Sequence, residues 1–469
     1  NLRTALYEYL TAKSAGGDFV LRIEDTDQER QVEGAIEKIY STLQTTGLRH
    51  DEGPDIGGPY GPYVQSERLG SYRGFAEELV DKGLAYRCFC SEERLAAVSA
   101  EQKASGSDFF GYDRHCRDLS VAEAEAKLSA GASYVIRQKM PLTGTTTYVD
   151  AVYGEISYEN KVLEDQVLLK SDGFPTYNFA NVVDDHAMNI THVVRGSEYL
   201  SSTPKYVLLY QAFGYEVPVF VHLPLILGKD GQKLSKRHGA TSFEELVAQG
   251  YLPEAVINYL ALLGWAPKDT RELYTLPELV EHFSISGISK SPSVFDEDKL
   301  LWFNEQYLRQ MSPEAFALAA EPFFRQVSPA ISAEAVTFLA ALLQPRASRL
   351  PEIPGQIAFL GSFADFDLEL FVHKKSKTTL PLCAEVLADF LEILPDCLWA
   401  KDSLYQLMVD YAAAKDLKNG QVMWPLRIAA SGQAVTPGGA VEVLLLLGKT
   451  DALARIEQSL ARLQQALES

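Results

Sequence analysis

Near residue 240 the sequence changes its period, and that change constrains the fold more than any other feature. Before it, short extended runs alternate with helical patterns, which is the mark of an α/β sheet domain. After it, helical spacing alone remains. In "DFVLRIED" the alternation is clean, with Phe19, Leu21 and Ile23 on one strand face and Arg22 and Glu24 on the other. The period then changes: a Thr26-x-x-Glu29 capping box is expected to open a helix with an apolar stripe of Val32, Ala35, Ile36, Ile39, Tyr40 and Leu43, stopped by Gly47. Between about residues 86 and 190 the pattern loosens around "PLTGTTTYVDAVYGEISYEN", as an insertion between two halves of a sheet would. The sheet signal returns in "HVVRGSEYL" and ends in "VFVHLPLILG". In "LPEAVINYLALLGW", Pro253 suits a first helical turn and Gly264 a C-terminal cap.

A chain of 469 residues is too long for one core. The expected segments are 1–85 and 191–240 as the halves of a Rossmann-like parallel sheet domain, 86–190 as its insertion, and two all-α regions at 241–310 and 311–469.

A formal net charge of -20, from 63 acids against 43 bases, taken alone disfavours a nucleic-acid partner, yet a local basic surface can bind a polyanion while the rest repels it. No apolar run approaches the roughly 18 residues of a membrane span, "VEVLLLLG" being the longest candidate. Five cysteines, an odd number, favour reduced thiols and a cytosolic setting over a disulfide framework.

Just past the last strand pattern, "GKDGQKLSKRHGA" gathers Lys233, Lys236 and Arg237 on a glycine-flanked loop. Such cations can embrace a polyphosphate and close as charge shifts onto a leaving diphosphate. The P-loop spacing G-x-x-x-x-G-K-[ST] is absent, so the cradle would be made of side chains. A solvated charged turn is the competing reading.

"KLSKR" resembles the KMSKS signature of class I aminoacyl-tRNA synthetases, and its neighbours narrow the resemblance to glutamyl-tRNA synthetase. "NLRTALYEYL", "FVLRIEDTD", "DEGPDIGGPYGPYVQSER", "PTYNFANVVDDH", "VVRGSEYLSSTPK", "LPLILGKDGQKLSKRHGA", "SPSVFDEDKLLWFN" and "WPLRIAASG" each look like the family's segments, in order. The resemblance implies activation of L-glutamate by ATP to glutamyl-adenylate and transfer to the 3′ end of tRNA(Glu), by a monomeric cytoplasmic enzyme. The family's His-x-Gly-His-type motif would end where this chain begins. A chain lacking that strand would have a gap in its sheet, so the native protein is expected to be longer.

The resemblance also carries over roles. Glu24 resembles the carboxylate that receives the substrate ammonium. Tyr177, Asn181 and Arg195 resemble groups around the bound amino acid, Arg195 being the bidentate partner of its side-chain carboxylate, because a planar fork suits that anion and rejects an amide. Ordinary ion pairs and core packing compete with each of these readings. Glu198 resembles a ribose contact, and the backbone at Leu227 an adenine contact. Lys236 is the transition-state contact to ATP, with Lys233 and Arg237 auxiliary and Mg²⁺ bridging the phosphates.

Cys88-x-Cys90 with Cys116 supplies three soft ligands, and Tyr112, four residues before Cys116, completes a pattern that resembles one form of the family's Zn²⁺ site. Another form places His or Cys two residues after the last cysteine, where this chain has Asp118; His115 is awkwardly adjacent to Cys116, and buried free thiols are the alternative. Cys383 and Cys397 read as core residues, and His186 and His192 lack ligand spacing. The resemblance makes 86–190 the acceptor-end insertion, 241–310 a stem-contact region and 311–469 the anticodon-binding region. Arg346, Arg349, Lys374, Lys375 and Lys377 are its candidates for anticodon bases and phosphates, against a plain charged helix surface. The nearest rival is the shortened relative that glutamylates a modified tRNA base, which the long helical tail argues against; a non-catalytic tRNA-binding scaffold is the rival from another class.

Overall fold

The computed structural model describes residues 2–26, 33–106, 111–234 and 242–468. The chain divides into two compact units, one of residues 1–244 with 253–297 and the other of 245–252 with 298–469.

In the first unit come α1 (Leu2–Ser14), α2 (Ala35–Thr46), α3 (Leu69–Asp81), β1 (Ala85–Cys88), α4 (Glu92–Ser105), α5 (Val121–Ser129), β2 (Val135–Gln138), β3 (Thr145–Asp150), β4 (Gly154–Glu159), β5 (Val167–Leu169), α6 (Tyr177–Ala187), β6 (His192–Gly196), α7 (Thr203–Phe213), β7 (Val219–Leu223) and β8 (Ile226–Leu227). The short α8 (Phe243–Ala248) leads out of it, and α9 (Pro253–Leu262), α10 (Leu276–His282) and β9 (Ser293–Val294) return to it. The central sheet has the order β4-β3-β7-β6, with β6 and β7 parallel and β3 and β4 antiparallel. A second sheet, β1-β2-β5, is antiparallel.

Three local expectations change. "DFVLRIED" forms isolated bridges, Val20 to Glu52 and Ile23 to Val64, rather than a continuous strand. Its alternation survives in part, with Phe19 and Ile23 buried and Arg22 turned the other way. The following helix starts at Ala35, after a turn whose Gly34 has φ 75°, and not at Thr26; Glu29 and Val32 lie outside the described residues. Its C-terminal Gly47 stop holds, whereas Ile36 and Ile39 are 39% exposed and, among the described residues of the stripe, only Leu43 is deeply buried. The Gly/Thr-rich patch that reads as loose is a regular hairpin, β3–β4, with strict alternation of exposed and buried residues along β3. Threonine suits a pleated half-buried surface, and composition hid that.

The hairpin turn is set by Asp150, whose Oδ1 accepts the amides of Val152 (2.9 Å) and Tyr153 (2.8 Å). α1 is tied to the end of α9 by Arg3 Nε to Leu263 O (2.8 Å) and by the Tyr7 hydroxyl to Ala261 O (2.8 Å). Leu6, Tyr7 and Leu10 on its inner face join Val194, Val221 and Ile257 in one core.

In the second unit the described elements are helical: α11 (Glu297–Gln310), α12 (Pro313–Val327), α13 (Ala333–Leu343), α14 (Ile353–Gln356), α15 (Leu380–Ile393), α16 (Lys401–Ala414), α17 (Asn419–Ser431) and α18 (Ala440–Glu468), with short 3₁₀ turns between them. Ser312, Ser332 and Thr379 cap three of these helices by accepting main-chain amides. Cys383 is fully buried in the core of α15, α17 and α18, and Cys397 packs at its edge.

Candidate active site

Two consecutive elements bring three of the amino-acid candidates together: the N-terminal turns of α6 and the C-terminal end of β6. Tyr177 opens α6 and Asn181 lies one turn on, while Arg195 is the penultimate residue of β6. In parallel strands, ligands collect beyond the carboxyl ends, and Arg195 sits there. Tyr177 faces Tyr199 with ring centroids 6.2 Å apart, and its hydroxyl feels the charges of both Glu24 and Arg195. Burial raises the Tyr177 pKa well above its ordinary value, with Glu24 as the next cause.

Glu24 does not stand alone. Arg22 Nη2 donates to Glu24 Oε1 (3.0 Å) and to Asn181 Oδ1 (3.2 Å), and Nη1 donates to Asp185 Oδ1 (2.8 Å). Behind them, Asp184 is fully buried and accepts from Gln65 (2.9 Å), Arg68 (2.7 Å) and Tyr72 (2.8 Å). Burial raises the Glu24 carboxyl above its ordinary pKa, and the Arg22 charge works against that. Half-buried Glu8 of α1, which sequence reading missed, shares this field: burial, then Glu24, pushes its carboxyl up to about 8. The signal available in sequence was only a polar residue beside the inward Tyr7.

Arg195 is 8% exposed and is met differently. Its Nε donates to His222 Nε2 (3.2 Å) and its Nη2 to Thr203 Oγ1 (2.8 Å), while the rings of Tyr206, Phe220 and Tyr199 lie 4.4, 5.1 and 5.2 Å from Cζ.

At the nucleotide end, Glu198 follows β6 in a 3₁₀ turn, and Lys233 Nζ lies 3.0 Å from its Oε1. These two candidates are therefore paired with each other. Burial opposes the Glu198 charge, but its own amide and Lys233 hold its pKa below the ordinary value. A Cβ on Gly196 would overlap the Glu198 carboxylate, which would have to swing aside. Leu227 lies in β8, where its carbonyl accepts the Phe295 amide (2.8 Å) and its residue bridges to Lys233. Lys236 and Arg237 lie outside the described residues.

Elsewhere in the first unit, Cys88, Cys90 and Cys116 have their sulfurs within 4.8 Å of one another. The Tyr112 hydroxyl lies 3.2 Å from the Cys88 sulfur and 3.5 Å from that of Cys90. Cys90 and Cys116 are 3.6 Å apart, close to the edge of about 3.8 Å that a tetrahedron with ~2.3 Å metal–sulfur bonds requires. Burial works against the Cys88 thiolate, yet Tyr112, the Cys90 amide and Arg137 together draw its pKa below the ordinary thiol value. Cys90 is pushed up to about 11, first by burial and further by the two neighbouring sulfurs. Arg94 and Arg137 bring positive charge: Arg94 Nη1 is 3.5 Å from the Cys90 sulfur, and the Arg137 guanidinium lies 3.9 Å over the Tyr112 ring. The four soft-to-intermediate donors fit a tetrahedral thiophilic ion; His115 and Asp118 are not in the group.

In the second unit Arg346 is exposed on a 3₁₀ turn. Arg349 is ion-paired with Glu352 at 2.5 Å and lies 5.7 Å from the Tyr251 ring. Lys374, Lys375 and Lys377 lie on one short loop, beside His373, which stacks on Trp424 at 3.8 Å. Among the described residues no helix is long and apolar enough to cross a membrane.

Residues 1–302 match the family described as tRNA synthetases class I (E and Q), catalytic domain, and residues 302–460 match the Anticodon binding domain. A glutamate–tRNA ligase of Clostridium kluyveri is 49% identical over 99% of this chain and 95% of its own length. One from Clostridium botulinum is 51% identical with the same coverage. A solved glutamate tRNA ligase from Elizabethkingia meningosepticum, in complex with its amino acid, superposes with a TM-score of 0.92 at 36% identity, over 98% of this chain and 96% of that one.

Proposed function

The chain belongs to the class I glutamate–tRNA ligases, and from that premise we propose which of its residues carry the ATP-dependent joining of glutamate to tRNA(Glu). The observation that supports the assignment best is the buried Arg195 guanidinium near the end of β6, close to Tyr177 and, among the described residues, hydrogen-bonded to an imidazole and a hydroxyl and to no carboxylate. A fork so placed binds the substrate's side-chain carboxylate and excludes glutamine, whose amide would set N–H against N–H. Glu24 receives the substrate ammonium, Tyr177 closes the pocket over the aliphatic stem, and Asn181 acts through Arg22, which its oxygen already accepts.

The substrate's α-carboxylate is itself the nucleophile. It attacks the α-phosphate of ATP, diphosphate leaves, and the terminal ribose hydroxyl of tRNA then attacks the adenylate carbonyl and releases AMP. The protein therefore positions groups and neutralises charge. Glu198 and the Leu227 backbone hold the nucleoside, and Lys233 exchanges Glu198 for a phosphate when ATP arrives. Lys236 makes the contact that tightens as the diphosphate departs, with Arg237 beside it. Mg²⁺, entering with ATP, would supply further positive charge against the phosphates. Lys236→Ala should lower the rate of adenylate formation by about a hundredfold while the ATP dissociation constant changes less than about threefold; equal losses in a pyrophosphate-exchange titration would remove this role.

Cys88, Cys90, Cys116 and Tyr112 would hold Zn²⁺, which when bound ties β1 to the Cys116 loop as a structural cross-link. Metal analysis of the protein and of Cys116→Ser tests it: about one equivalent in the first and none in the second, with free thiols as the contrary result. Arg346 and Arg349 meet the anticodon, and Lys374, Lys375 and Lys377 its flanking phosphates. The reading as a shortened base-modifying relative is set aside because the anticodon-binding family covers 302–460. A monomer in the cytoplasm completes the proposal.

A further inference from the structure

His222 and Asp150 are both 0% exposed, and nothing in the reaction uses either one. A buried acid and imidazole are costly unless their hydrogen bonds are complete, so their partners indicate their task. Asp150 ends β3 and His222 sits in β7, 72 residues later. Asp150 Oδ2 lies 2.6 Å from His222 Nδ1 and accepts the His222 amide as well (3.2 Å). An ionised carboxylate only accepts, so Nδ1 carries the proton and Nε2 keeps its lone pair. Burial opposes the Asp150 charge, and the imidazole with the Tyr153 and Val152 amides holds its pKa below the usual carboxylate value.

The lone pair on Nε2 faces Arg195 Nε at 3.2 Å. β6 and β7 run parallel with Arg195 opposite His222, which brings the two side chains to the same sheet face. Thr203 Oγ1 lies 2.8 Å from both Arg195 Nη2 and the Tyr199 carbonyl, and 3.2 Å from His222 Nε2. Its single proton goes to the nearer carbonyl, so its oxygen accepts from Arg195 and leaves the imidazole lone pair to Nε. The guanidinium is thus held at Nε and Nη2 by two neutral acceptors, and its counter-charge on Asp150 stands one imidazole ring away.

We propose that Asp150, His222 and Thr203 are positioning residues that fix the Arg195 fork for the glutamate side chain and keep a carboxylate from ion-pairing with it directly. This rests on Arg195 reading that side chain. His222→Leu removes the acceptor at near-constant bulk and frees Arg195 to swing; Thr203→Val removes the second acceptor isosterically. Both variants are assayed by aminoacylation of tRNA(Glu), with the wild type and Arg195→Gln alongside. His222→Leu is expected to raise KM for glutamate about tenfold and Thr203→Val about threefold, while KM for ATP and kcat stay within about twofold, because the contact is remote from the reacting carboxylate. His222→Gln, whose amide oxygen can accept from Nε, should recover most of the loss.

If Arg195→Gln raises KM for glutamate but Thr203→Val and His222→Leu leave it at the wild-type value, or raise the two substrates' KM together, the positioning role is overturned while the Arg195 assignment stands. If Arg195→Gln itself leaves KM unchanged, the assignment fails first. Should His222→Leu prove unstable, Thr203→Val decides the matter by the same split.

Discussion

Two arginines lie close enough to act on the same buried Tyr210, and their surroundings are opposite. Arg22 is bonded directly to carboxylates, Asp185 at 2.8 Å and Glu24 at 3.0 Å. Arg195 hydrogen bonds to an imidazole and a hydroxyl and is walled by three aromatic rings. Burial works against the Arg22 charge, but Asp185 and then Glu24 more than offset it and hold its pKa above the ordinary value. A guanidinium satisfied by carboxylates cross-links the fold; one satisfied by neutral acceptors still has charge to offer a ligand.

Replacing each arginine by glutamine is the sharpest way to break that contrast. Arg195→Gln should cost about a hundredfold in kcat/KM for glutamate, the worth of a bidentate charge-assisted pair, with little change in thermal midpoint. Arg22→Gln should instead destabilise the protein by ~3 kcal/mol in urea unfolding, since Asp185 and Glu24 lose their cation. Equal effects of the two substitutions on both measurements would erase the distinction.

A smaller effect concerns Glu8, which feels the charges of Glu24, Arg22 and Asp185. Its folded pKa of about 8 lies above that of an unfolded glutamate, so between pH 4.5 and about 8 the folded state binds more protons. Stability therefore falls as pH rises through that window. Glu8→Gln should remove the decline and gain about 1 kcal/mol at pH 8.5 relative to pH 5, allowing for solvent screening at a half-buried site. Urea midpoints at the two pH values check the sign. The smallest effect belongs to the pair Lys233–Glu198, whose side chains are 56% and 45% exposed. Lys233→Ala should shift unfolding by less than about 0.5 kcal/mol and act on KM for ATP alone.

How much of this was legible beforehand varies with the range of the interaction. The α/β-to-helix change near residue 240, the β6 and β7 strands and the Cys88–Cys90–Cys116 group follow from local period and spacing, which sequence displays directly. The β3–β4 hairpin was hidden because its glycines and threonines imitate loop composition. The α2 start was misplaced because a capping box and an apolar stripe describe a helix that packs, whereas Ile36 and Ile39 remain exposed. His222 had one visible cue, an imidazole within the apolar run "VFVHLPLILG"; Asp150, its partner, had none.

By itself the sequence determined the family and the reaction, since ordered motifs along one chain are enough for that. Only the tertiary structure decided which arginine is bonded to carboxylates and which to an imidazole and a hydroxyl, that Lys233 rests on Glu198, and that Asp150 reaches His222 across the sheet. The physical reason is that a charge's availability depends on its nearest partners, and strand register chooses those from residues that no local pattern connects.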